Sequence, residues 1–370
     1  MRSGSTRGFS LRERVAVIGG GVVGCATAFE LARSGFEVTL IERDSIAAHA
    51  SGQNAGNLNP LHGTPVELLE FALEAFQIHG SVRAELNEMG CANYELLPVK
   101  RIFLGCDATD RTQLEATFVL FNATAGFSAR WLDGDSLREL EPRLERKISF
   151  GILTTGSLSV ESCDFTRSLA SAAVRLGASI LHQRAIGIAI SRDRVTGIQT
   201  DAGTIACDQV VFATGPWVAD LHSWLGVDLA IEPVKGELLL LQMGGEMIQH
   251  DLTLEQACLY RRRDDQVWVG STMRDCGHEC APSEEAKESL MEGAARILPD
   301  IRNAKLLKHV AALRPMAASG PIAERASGWQ NVYIGNGGGT KGLLLSVGIA
   351  RKIREILVHG RIASERTSLV

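Results

Sequence analysis

The sequence predicts an α/β fold, α+β overall, in which a discontinuous parallel-sheet domain carries an inserted antiparallel-sheet domain. Two stretches near the ends of the chain, 14–44 and 332–357, share one order of strand, glycines and apolar helix. Between about 225 and 318, short strands follow one another with one helix among them, which favours antiparallel pairing. Parallel units at both ends and an antiparallel block between them predict one domain interrupted by another.

The first of these units is "RVAVIGGGVVGCATAFELARSGFEVTLIERD". Val15 to Ile18 have the β-branched composition of a buried parallel strand. An alanine-rich periodic pattern predicts a helix over Val22 to Arg33, and the apolar run Val38 to Ile41 predicts the next strand. This order of elements is that of a βαβ unit.

The turn of the unit has the G-x-G-x-x-G spacing at Gly19, Gly21 and Gly24. The first glycine permits the tight turn, the second lets the backbone approach a pyrophosphate, and the third lets helix and strand pack closely. Free N–H groups and the dipole at the helix N-terminus favour that anion. Glu42, at the tip of the second strand, is placed to accept hydrogen bonds from both ribose hydroxyls, and an acid there disfavours a 2′-phosphate. The sequence therefore predicts a Rossmann-like domain that binds NAD or FAD.

The composition is typical of a soluble globular protein, with 370 residues, 45% hydrophobic and 22% charged residues, and a net charge of -5. The lack of a basic excess argues against nucleic acid, and Arg261 to Arg263 are interpreted as a solvated strand end. No apolar run reaches the ~18 residues that cross a bilayer. The first residues lack the apolar core of a signal peptide, so we expect a cytoplasmic protein.

The cysteines lack the dense spacing of a disulfide framework. We interpret most of them as small core residues in a reducing compartment. Cys276, His278 and Cys280 are closely spaced, but a structural zinc site needs four ligands and no second close pair is present. We therefore expect a surface loop there and no metal. The eight cysteines stand at positions 25, 91, 106, 163, 207, 258, 276 and 280.

Further helices are predicted along the chain. Long and short helical patterns cover Pro65 to Met89 and Thr112 to Ala123. Asp164 is the expected N-cap of a helix that ends at Leu176, where a glycine follows. One helix, Ser283 to Leu298, is expected within the antiparallel block.

These elements set the predicted domain boundaries. The dinucleotide-binding domain comprises 13–90, 150–222 and 319–358, and the substrate-binding domain comprises 91–149 and 223–318. Residues 1–12 and 359–370 are expected to be flexible tails.

Six motifs occur in a fixed order: the G-x-G-x-x-G with Glu42, "SGQNAGNL", "VVFATGPW", "EPVKGE", "ALRP" and "GNGGGTKGLLLS". Together they resemble the D-amino acid oxidase-like FAD-dependent oxidoreductases, and most closely the glycine oxidase, sarcosine oxidase and D-amino acid dehydrogenase branch. The resemblance runs from about Val15 to Leu357, nearly the whole chain. It turns the choice between NAD and FAD toward FAD.

The resemblance implies a set of FAD-binding residues. Glu42 and Arg43 would flank the adenosine ribose, Ile186 would meet the adenine through its backbone, and the loop from Ser51 to Gly56 would line the flavin. The complete set is Gly19, Gly21, Val22, Val23, Gly24, Glu42, Arg43, Ser51, Gly52, Asn54, Ala55, Gly56, Ile186, Thr214, Gly215, Gly338, Gly339, Thr340, Lys341 and Gly342.

The start of the last helix, Gly339 to Gly342, has a chemical reason for its place in that set. A reduced flavin carries negative charge at N1 and the C2 carbonyl, which a helix N-terminus stabilises. Lys341 could add to this effect, or it could be an ordinary lysine that points to water.

Two departures from the family pattern concern the substrate side. Where many relatives have a substrate-facing tyrosine, this chain has Cys258, and Tyr260, on the same face of the strand, could partly replace it. Where sarcosine oxidase relatives have a lysine for oxygen activation, this chain has Trp268. The cysteine that tethers FAD near "ALRP" in those relatives is absent, so non-covalent FAD is expected. The electron acceptor, O2 or a quinone-linked electron-transfer chain, stays open.

Arg314 is the predicted substrate-binding residue. We interpret the residues before it as a buried strand that Pro315 ends, so that the guanidinium is presented at the junction between the domains. A buried arginine requires an anion. One alternative is an internal salt bridge to an acid such as Glu237. The other is a bidentate clamp on a substrate carboxylate, the role that the resemblance implies.

These observations predict an enzyme that oxidises an amino acid or N-substituted amino acid of the glycine, sarcosine or D-amino acid type. A hydride would pass from the α-carbon to flavin N5, giving an imine and then a 2-oxo acid. The predicted catalytic residues are Arg314, Tyr260 and Cys258. The alternatives are an FAD-dependent 2-hydroxy acid oxidase or dehydrogenase, an NAD-dependent dehydrogenase, and a non-catalytic dinucleotide-binding protein. The enantiomer stays open, as does the oligomeric state, and a homo-oligomer is compatible with the sequence.

Overall fold

The computed structural model describes residues 12–367, with side chains described through residue 360. Its strands are β1 (Arg14–Ile18), β2 (Glu37–Glu42), β3 (Asn57–Leu58), β4 (Leu96–Gly105), β5 (Ser128–Asp133), β6 (Phe150–Val160), β7 (Ser179–His182), β8 (Ala185–Ser191), β9 (Arg194–Thr200), β10 (Gly203–Ala206), β11 (Gln209–Phe212), β12 (Ile231–Gln242), β13 (Asp251–Leu254), β14 (Ala257–Arg261), β15 (Gln266–Gly270), β16 (Arg274–Asp275), β17 (Lys305–Ala317), β18 (Ile322–Arg325) and β19 (Val332–Asn336). Its helices are α1 (Val22–Arg33), α2 (Leu69–Glu88), α3 (Ala108–Ala123), α4 (Gly134–Leu140), α5 (Ser162–Arg175), α6 (Ala219–Leu225), α7 (Glu284–Ala295) and α8 (Gly342–Thr367), with 3₁₀ turns at Val66–Leu68, Pro299–Asn303 and Gly339–Lys341.

A six-stranded, mainly parallel sheet forms the first layer, in the order β18-β19-β11-β1-β2-β7. β1 lies near its middle and pairs in parallel with β2 and β11, while β18 adds an antiparallel edge. One hydrophobic cluster joins this sheet to residues of α1, α2, α5 and α8. A second cluster on the sheet includes residues of the β8–β9–β10 sheet and of α6. Helices and strands on this sheet give the Rossmann-like architecture that the two βα units predict.

A large mixed sheet forms the second part of the molecule, in the order β16-β12-β15-β14-β13-β4-β6-β3, with β17 on β12 and β5 on β6. Most of its pairings are antiparallel, and β4 with β13 is parallel. Its hydrophobic clusters include residues of α3, α4 and α7. An antiparallel sheet with helices packed on it is the expected form of the inserted domain, and α/β class is confirmed.

The element predictions succeed best where glycine and polar residues mark the boundaries. Helix α1 has the predicted bounds, Val22–Arg33. The N-cap prediction at Asp164 is wrong, because α5 begins at Ser162 with Glu161 as its N-cap and no side-chain capping bond. Asp164 lies in the first turn, where its charge still suits the helix dipole.

The prediction that Pro315 ends its strand is also wrong. β17 continues to Ala317, and Pro315 lies opposite Pro233 of β12. Antiparallel strands alternate hydrogen-bonded and non-hydrogen-bonded pairs, and two prolines facing each other are tolerated at a non-hydrogen-bonded pair because neither position needs an N–H.

Several segments lie elsewhere than the sequence suggests. β6, which the predicted boundaries assign to the dinucleotide-binding domain, pairs with β4 and β5 in the large sheet. Helix α8 runs to Thr367 and so includes part of the predicted C-terminal tail. The predicted tail residues 1–11 and 368–370 lie outside the described residues. Arg262 is not solvated as expected, since only 11% of its side chain is exposed.

Candidate active site

A cavity of about 310 Å³ lies at the carboxyl ends of the parallel strands and extends to the large sheet. Its walls come from the glycine-rich turn, the loop after β2, the end of β11, and the turn before α8. At the other end they come from β12, β14 and β17. The carboxyl ends of parallel strands are where open α/β sheets bind ligands.

Most of the predicted site residues line this cavity. Those that do are Gly19, Gly21, Val22, Val23, Glu42, Arg43, Ser51, Asn54, Ala55, Gly56, Thr214, Gly215, Tyr260, Arg314, Gly338, Gly339, Thr340, Lys341 and Gly342. Those that do not are Gly24, Gly52, Ile186 and Cys258.

Two of the four exceptions are glycines that pack against the backbone of residues in or next to the cavity wall. A Cβ at Gly24 would lie 1.8 Å from the carbonyl oxygen of Gly19, and a Cβ at Gly52 would lie 2.2 Å from that of Ala47. Ile186 is 54% exposed, and the residues before it, 183–185, form that part of the wall. The predicted contact between the Ile186 backbone and the adenine stays a prediction, and residues 183–185 form the wall next to it.

The glycine-rich turn is fixed by close backbone contacts. Gly19 has φ +111°, and a Cβ there would lie 2.3 Å from the carbonyl oxygen of Ala213. At Gly21 a Cβ would lie 3.1 Å from Ser51 Oγ. Ser51 Oγ accepts a hydrogen bond from Val22 N–H at 2.8 Å, so Ser51 lies at the N-terminus of α1, where the pyrophosphate is expected.

Glu42 is buried, and its carboxylate accepts hydrogen bonds from the backbone at this end of the cavity. Its Oε2 accepts from the N–H of Gly20 at 2.5 Å, and its Oε1 accepts from the N–H of Asp44 at 2.8 Å. Its carboxylate thus holds the glycine turn against the end of β2. Ionised oxygens accept more than one bond each, so the predicted ribose contact remains chemically available.

The residues beyond Glu42 form an aromatic and charged rim, of which only Arg43 is among the predicted site residues. The Arg43 guanidinium carbon lies 4.3 Å from the ring centre of Trp217. His49 packs on Trp217 at 4.6 Å between ring centres and bonds Asp44 at 2.7 Å, which with Arg43 lowers the pKa of Asp44. Trp217 belongs to the "VVFATGPW" motif, so that signal was present, whereas nothing in the sequence marks His49.

Two buried polar atoms of cavity-lining residues have no partner. They are Thr214 Oγ1 and Asn57 Oδ1. Buried polar atoms are seldom left without hydrogen bonds, so these two fit a cavity that receives a polar group. With the glycine turn and Glu42, they suit the polar parts of a dinucleotide.

Lys341 lines the cavity, so its predicted contribution at the flavin stays a prediction, whereas the alternative of a lysine that points to water is wrong. Its Nζ donates to the carbonyl oxygens of Asn59 at 2.9 Å and His62 at 2.5 Å, so it does not point to water. Burial, and then the charge of Arg101, lowers its pKa to about 8. Burial, Arg101 and Lys341 lower the pKa of His62 to about 3, which leaves that ring neutral.

Tyr260 and Cys258 share a face of β14, as predicted. Only Tyr260 reaches the cavity, while Cys258 Sγ accepts from Thr253 Oγ1 at 3.6 Å. The Arg101 guanidinium carbon lies 5.1 Å from the Tyr260 ring centre. Burial, followed by the neighbouring Cys258, raises the pKa of Tyr260, so its hydroxyl stays protonated.

Arg314 points into the cavity and has no carboxylate partner among the residues that the structure describes. Its Nη1 donates to the Thr272 carbonyl oxygen at 3.0 Å, and its Nη2 donates to Ser271 Oγ at 2.8 Å. Burial lowers its pKa. Glu237 instead accepts from Ser283 N–H and hydroxyl at 2.8 and 2.9 Å, so the predicted salt-bridge alternative is not formed.

Two further expectations concern metals and membranes. Within residues 12–367, no three His, Cys, Asp or Glu side chains are arranged to hold a metal ion, and His278 bonds the Pro216 carbonyl oxygen. All eight cysteines are unpaired. No helix in that range combines the length and apolar character needed to cross a bilayer.

A Rossmann-like sheet whose glycine-rich turn opens into a cavity shared with an antiparallel domain defines the class of two-domain dinucleotide-binding proteins. The chain belongs to the FAD dependent oxidoreductase (DAO) family, whose sequence model matches residues 14–356. This membership decides between NAD and FAD in favour of FAD, and it confirms an FAD-dependent oxidoreductase.

Individual relatives cover almost the whole chain. A glycine oxidase of Pseudomonas putida is 26% identical over 352 residues, 94% of this chain and 95% of its own. A D-amino acid dehydrogenase of Rhizobium rhizogenes is 25% identical over 402 residues, 93% of this chain and 95% of its own. The crystal structure of glycine oxidase from Bacillus cereus superposes with a TM-score of 0.86 at 27% identity, covering 95% of this chain and 96% of that one.

Proposed function

We propose that this chain oxidises a small amino acid or N-substituted amino acid at its α-carbon. The observation that carries the proposal is Arg314, a cation in the cavity with no carboxylate within ion-pair distance among the described residues. An uncompensated guanidinium beside the cofactor site suits an anionic substrate, and its planar fork suits a carboxylate. FAD, when bound, would accept the hydride at N5, and the resulting imine would hydrolyse to a 2-oxo acid.

The chain itself supplies binding and orientation. Arg314 would fix the carboxylate, and the protonated, partly buried Tyr260 would form the wall beside it. The reacting amine must be in its neutral form. The chain needs no catalytic triad of the Ser, His and Asp type, because the flavin supplies the redox chemistry. Holding the reacting groups in the right geometry lowers the activation barrier by up to on the order of 7 to 11 kcal/mol.

The holders of FAD would be the glycine turn with Ser51 at the pyrophosphate, Glu42 at the ribose, and the turn before α8 at the flavin. The unpartnered Thr214 Oγ1 and Asn57 Oδ1 would gain partners. The cavity lining includes no cysteine among the described residues, which supports non-covalent binding.

The names of the relatives support an amine rather than a hydroxyl as the oxidised group. Both the glycine oxidase and the D-amino acid dehydrogenase act on amino acids by name. The 2-hydroxy acid alternative rests only on the "SGQNAG" sequence, which also resembles the corresponding loop of 2-hydroxyglutarate-oxidising relatives, and no contact in the cavity favours it. The acceptor, O2 or a quinone-linked chain, and the cytoplasmic location stay predictions.

The test is anaerobic mixing of the yellow holoenzyme with glycine, sarcosine, proline, D-amino acids and 2-hydroxy acids, with flavin bleaching as the readout. We expect bleaching by at least one amino acid and none by the hydroxy acids. Bleaching by a hydroxy acid alone would replace the proposal by the alternative. Reoxidation in air, compared with a soluble quinone, then identifies the acceptor.

A further inference from the structure

The side chain of Arg314 reaches the cavity by crossing a neighbouring strand. In the β12–β17 ladder, Ala312 lies opposite Gly236 and Arg314 lies opposite Val234. Residues i and i+2 of a strand share a face, so Arg314 and Gly236 are diagonal neighbours on the same face. The guanidinium bonds Ser271 and Thr272, which follow β15 on the far side of β12. The side chain thus spans the whole width of β12.

Glycine at position 236 is what leaves this path open. A Cβ on Gly236 would lie 2.1 Å from Nη1, 2.2 Å from Cζ and 2.2 Å from Nη2 of Arg314. Contacts under 3 Å do not occur for real Cβ atoms, so any side chain here displaces the guanidinium. The displaced group is the far end of a flexible side chain, since the three atoms nearest to the added Cβ all belong to the Arg314 guanidinium.

The far anchor is a short interruption between β15 and β16. Thr272 N–H donates to the Glu237 carbonyl oxygen at 3.3 Å, and Glu237 N–H donates to Thr272 Oγ1 at 2.9 Å. These bonds hold the segment against β12 beside Gly236. Ser271 lines the cavity and accepts from Nη2, so one N–H on each terminal nitrogen remains for a ligand.

The nearest acid on β12 is directed away from this path. Glu237 follows Gly236, so it belongs to the opposite face, where it meets Ser283, His309 and Lys235. The crossing therefore brings the Arg314 charge to the cavity with neutral acceptors as its only described partners.

We propose that Gly236 and Ser271 are positioning residues for Arg314, and that together they determine how tightly the site holds a substrate carboxylate. Gly236 acts by leaving room over the strand, and Ser271 acts by orienting Nη2. This inference rests on the proposed function, in which Arg314 binds that carboxylate.

The test uses the holoenzyme variants Gly236→Ala, Ser271→Ala and Arg314→Ala, with acetate as a non-oxidisable carboxylate whose binding is followed by calorimetry. Gly236→Ala should retain FAD and melt like the wild type while its acetate Kd rises at least roughly tenfold, as expected when a charge-assisted bidentate contact is misaligned. Ser271→Ala should raise Kd by about threefold to tenfold. For whichever amino acid bleaches the flavin, the KM of the Gly236→Ala and Ser271→Ala variants should rise by a larger factor than their kcat falls. The amide of the same amino acid has no carboxylate, so its KM and kcat should be the same in these variants as in the wild type.

A double-mutant cycle separates positioning from any other effect. In the Arg314→Ala background, Gly236→Ala should cause no further loss, because the group it displaces is absent. Gly187→Ala is the matched control, since a Cβ there would also meet the end of a flexible side chain, Gln199 Oε1 at 2.5 Å, outside the cavity. It should bind acetate like the wild type.

The outcomes distinguish this inference from the proposed function. If Arg314→Ala binds acetate normally, the carboxylate clamp fails and the inference falls with it. If Arg314→Ala is impaired while Gly236→Ala and Ser271→Ala are normal, only the positioning inference is overturned. Additive losses in the double variant would overturn it too. If Gly236→Ala does not fold, Ser271→Ala and its cycle with Arg314→Ala decide the question.

Discussion

The two ends of the cavity are built by different means. At the nucleotide end, the glycine turn packs so closely against its surroundings that there is little room for added side chains. The polar groups there, Glu42 and Ser51, accept hydrogen bonds from backbone N–H groups. At the proposed substrate end, the Arg101 guanidinium lies over the Tyr260 ring and is ion-paired to Asp251, whereas Arg314 has no ion-paired acid among the described residues. The first end recognises shape and tolerates no added volume. If the second end binds a substrate carboxylate through Arg314, as proposed, removing that charge should cost more than changing the shape of the wall.

The largest effect expected at the nucleotide end comes from adding volume. Gly21→Val places a branched side chain beside Ser51 Oγ, which a Cβ alone would approach to 3.1 Å, and where the pyrophosphate is expected. We expect the protein to purify without flavin, as measured by visible absorbance per protein. Gly80→Ala is the control, because a Cβ there meets nothing within 4 Å. Full flavin occupancy in Gly21→Val would contradict recognition by shape at this end.

Removing charge should have the next largest effect, at the opposite end. Arg314→Ala and Arg314→Lys should both keep yellow FAD, because neither change touches the glycine turn. Flavin reduction per molar substrate should fall at least about a hundredfold, or roughly 2.7 kcal/mol, in anaerobic stopped-flow measurements. Lysine should fail like alanine because it lacks the planar fork. A wild-type rate in either variant would remove Arg314 from the site.

The two ends also differ in how far the sequence reveals them. The glycine turn, α1 and Glu42 are contiguous, and each is set by local backbone chemistry, so their positions follow from spacing alone. Arg314, Tyr260 and Lys341 were identified as site residues, but their partners were not, because Thr272, Arg101 and His62 come from distant strands and loops. The error at Pro315 has the same origin, since the facing Pro233 that tolerates it is far away in the chain.

A smaller effect, on the affinity for FAD, is expected when the charged side chain of Glu42 is removed from the nucleotide end. Glu42→Ala removes the acceptor of the Gly20 and Asp44 N–H groups and the expected ribose contact. FAD affinity should fall roughly tenfold to a hundredfold, measured by retention on dialysis, since charge-assisted bonds contribute about 1.5 to 3 kcal/mol. Glu42→Gln, which keeps one acceptor oxygen, should lose less. Unchanged retention in Glu42→Ala would place the ribose contact elsewhere.

A further effect concerns Lys341, and it is an effect of pH on stability rather than on ligand binding. Its pKa is lowered to about 8 in the folded chain from 10.5 in the unfolded chain, so the unfolded state binds more protons between these values. The free energy of unfolding of the wild-type apoprotein should therefore rise from pH 8 to 10.5 relative to Lys341→Met. Urea unfolding at both ends of that window measures the difference. Identical pH dependence in the two proteins would show that burial and the charge of Arg101 do not lower the pKa of Lys341.

The parallel sheet draws its strands from the beginning, the middle and the end of the chain. In chain order β1 and β2 come early, β11 follows much later, and β19 comes later still, just before the turn and helix that close the cavity. A nascent chain on the ribosome thus has its glycine turn long before it has the wall opposite. Pairings so distant in sequence form late and slowly, and unpaired strand edges stay exposed meanwhile. Chains that stop short of residue 332 lack β19, so β11 is left as an open sheet edge, and we expect such chains to aggregate.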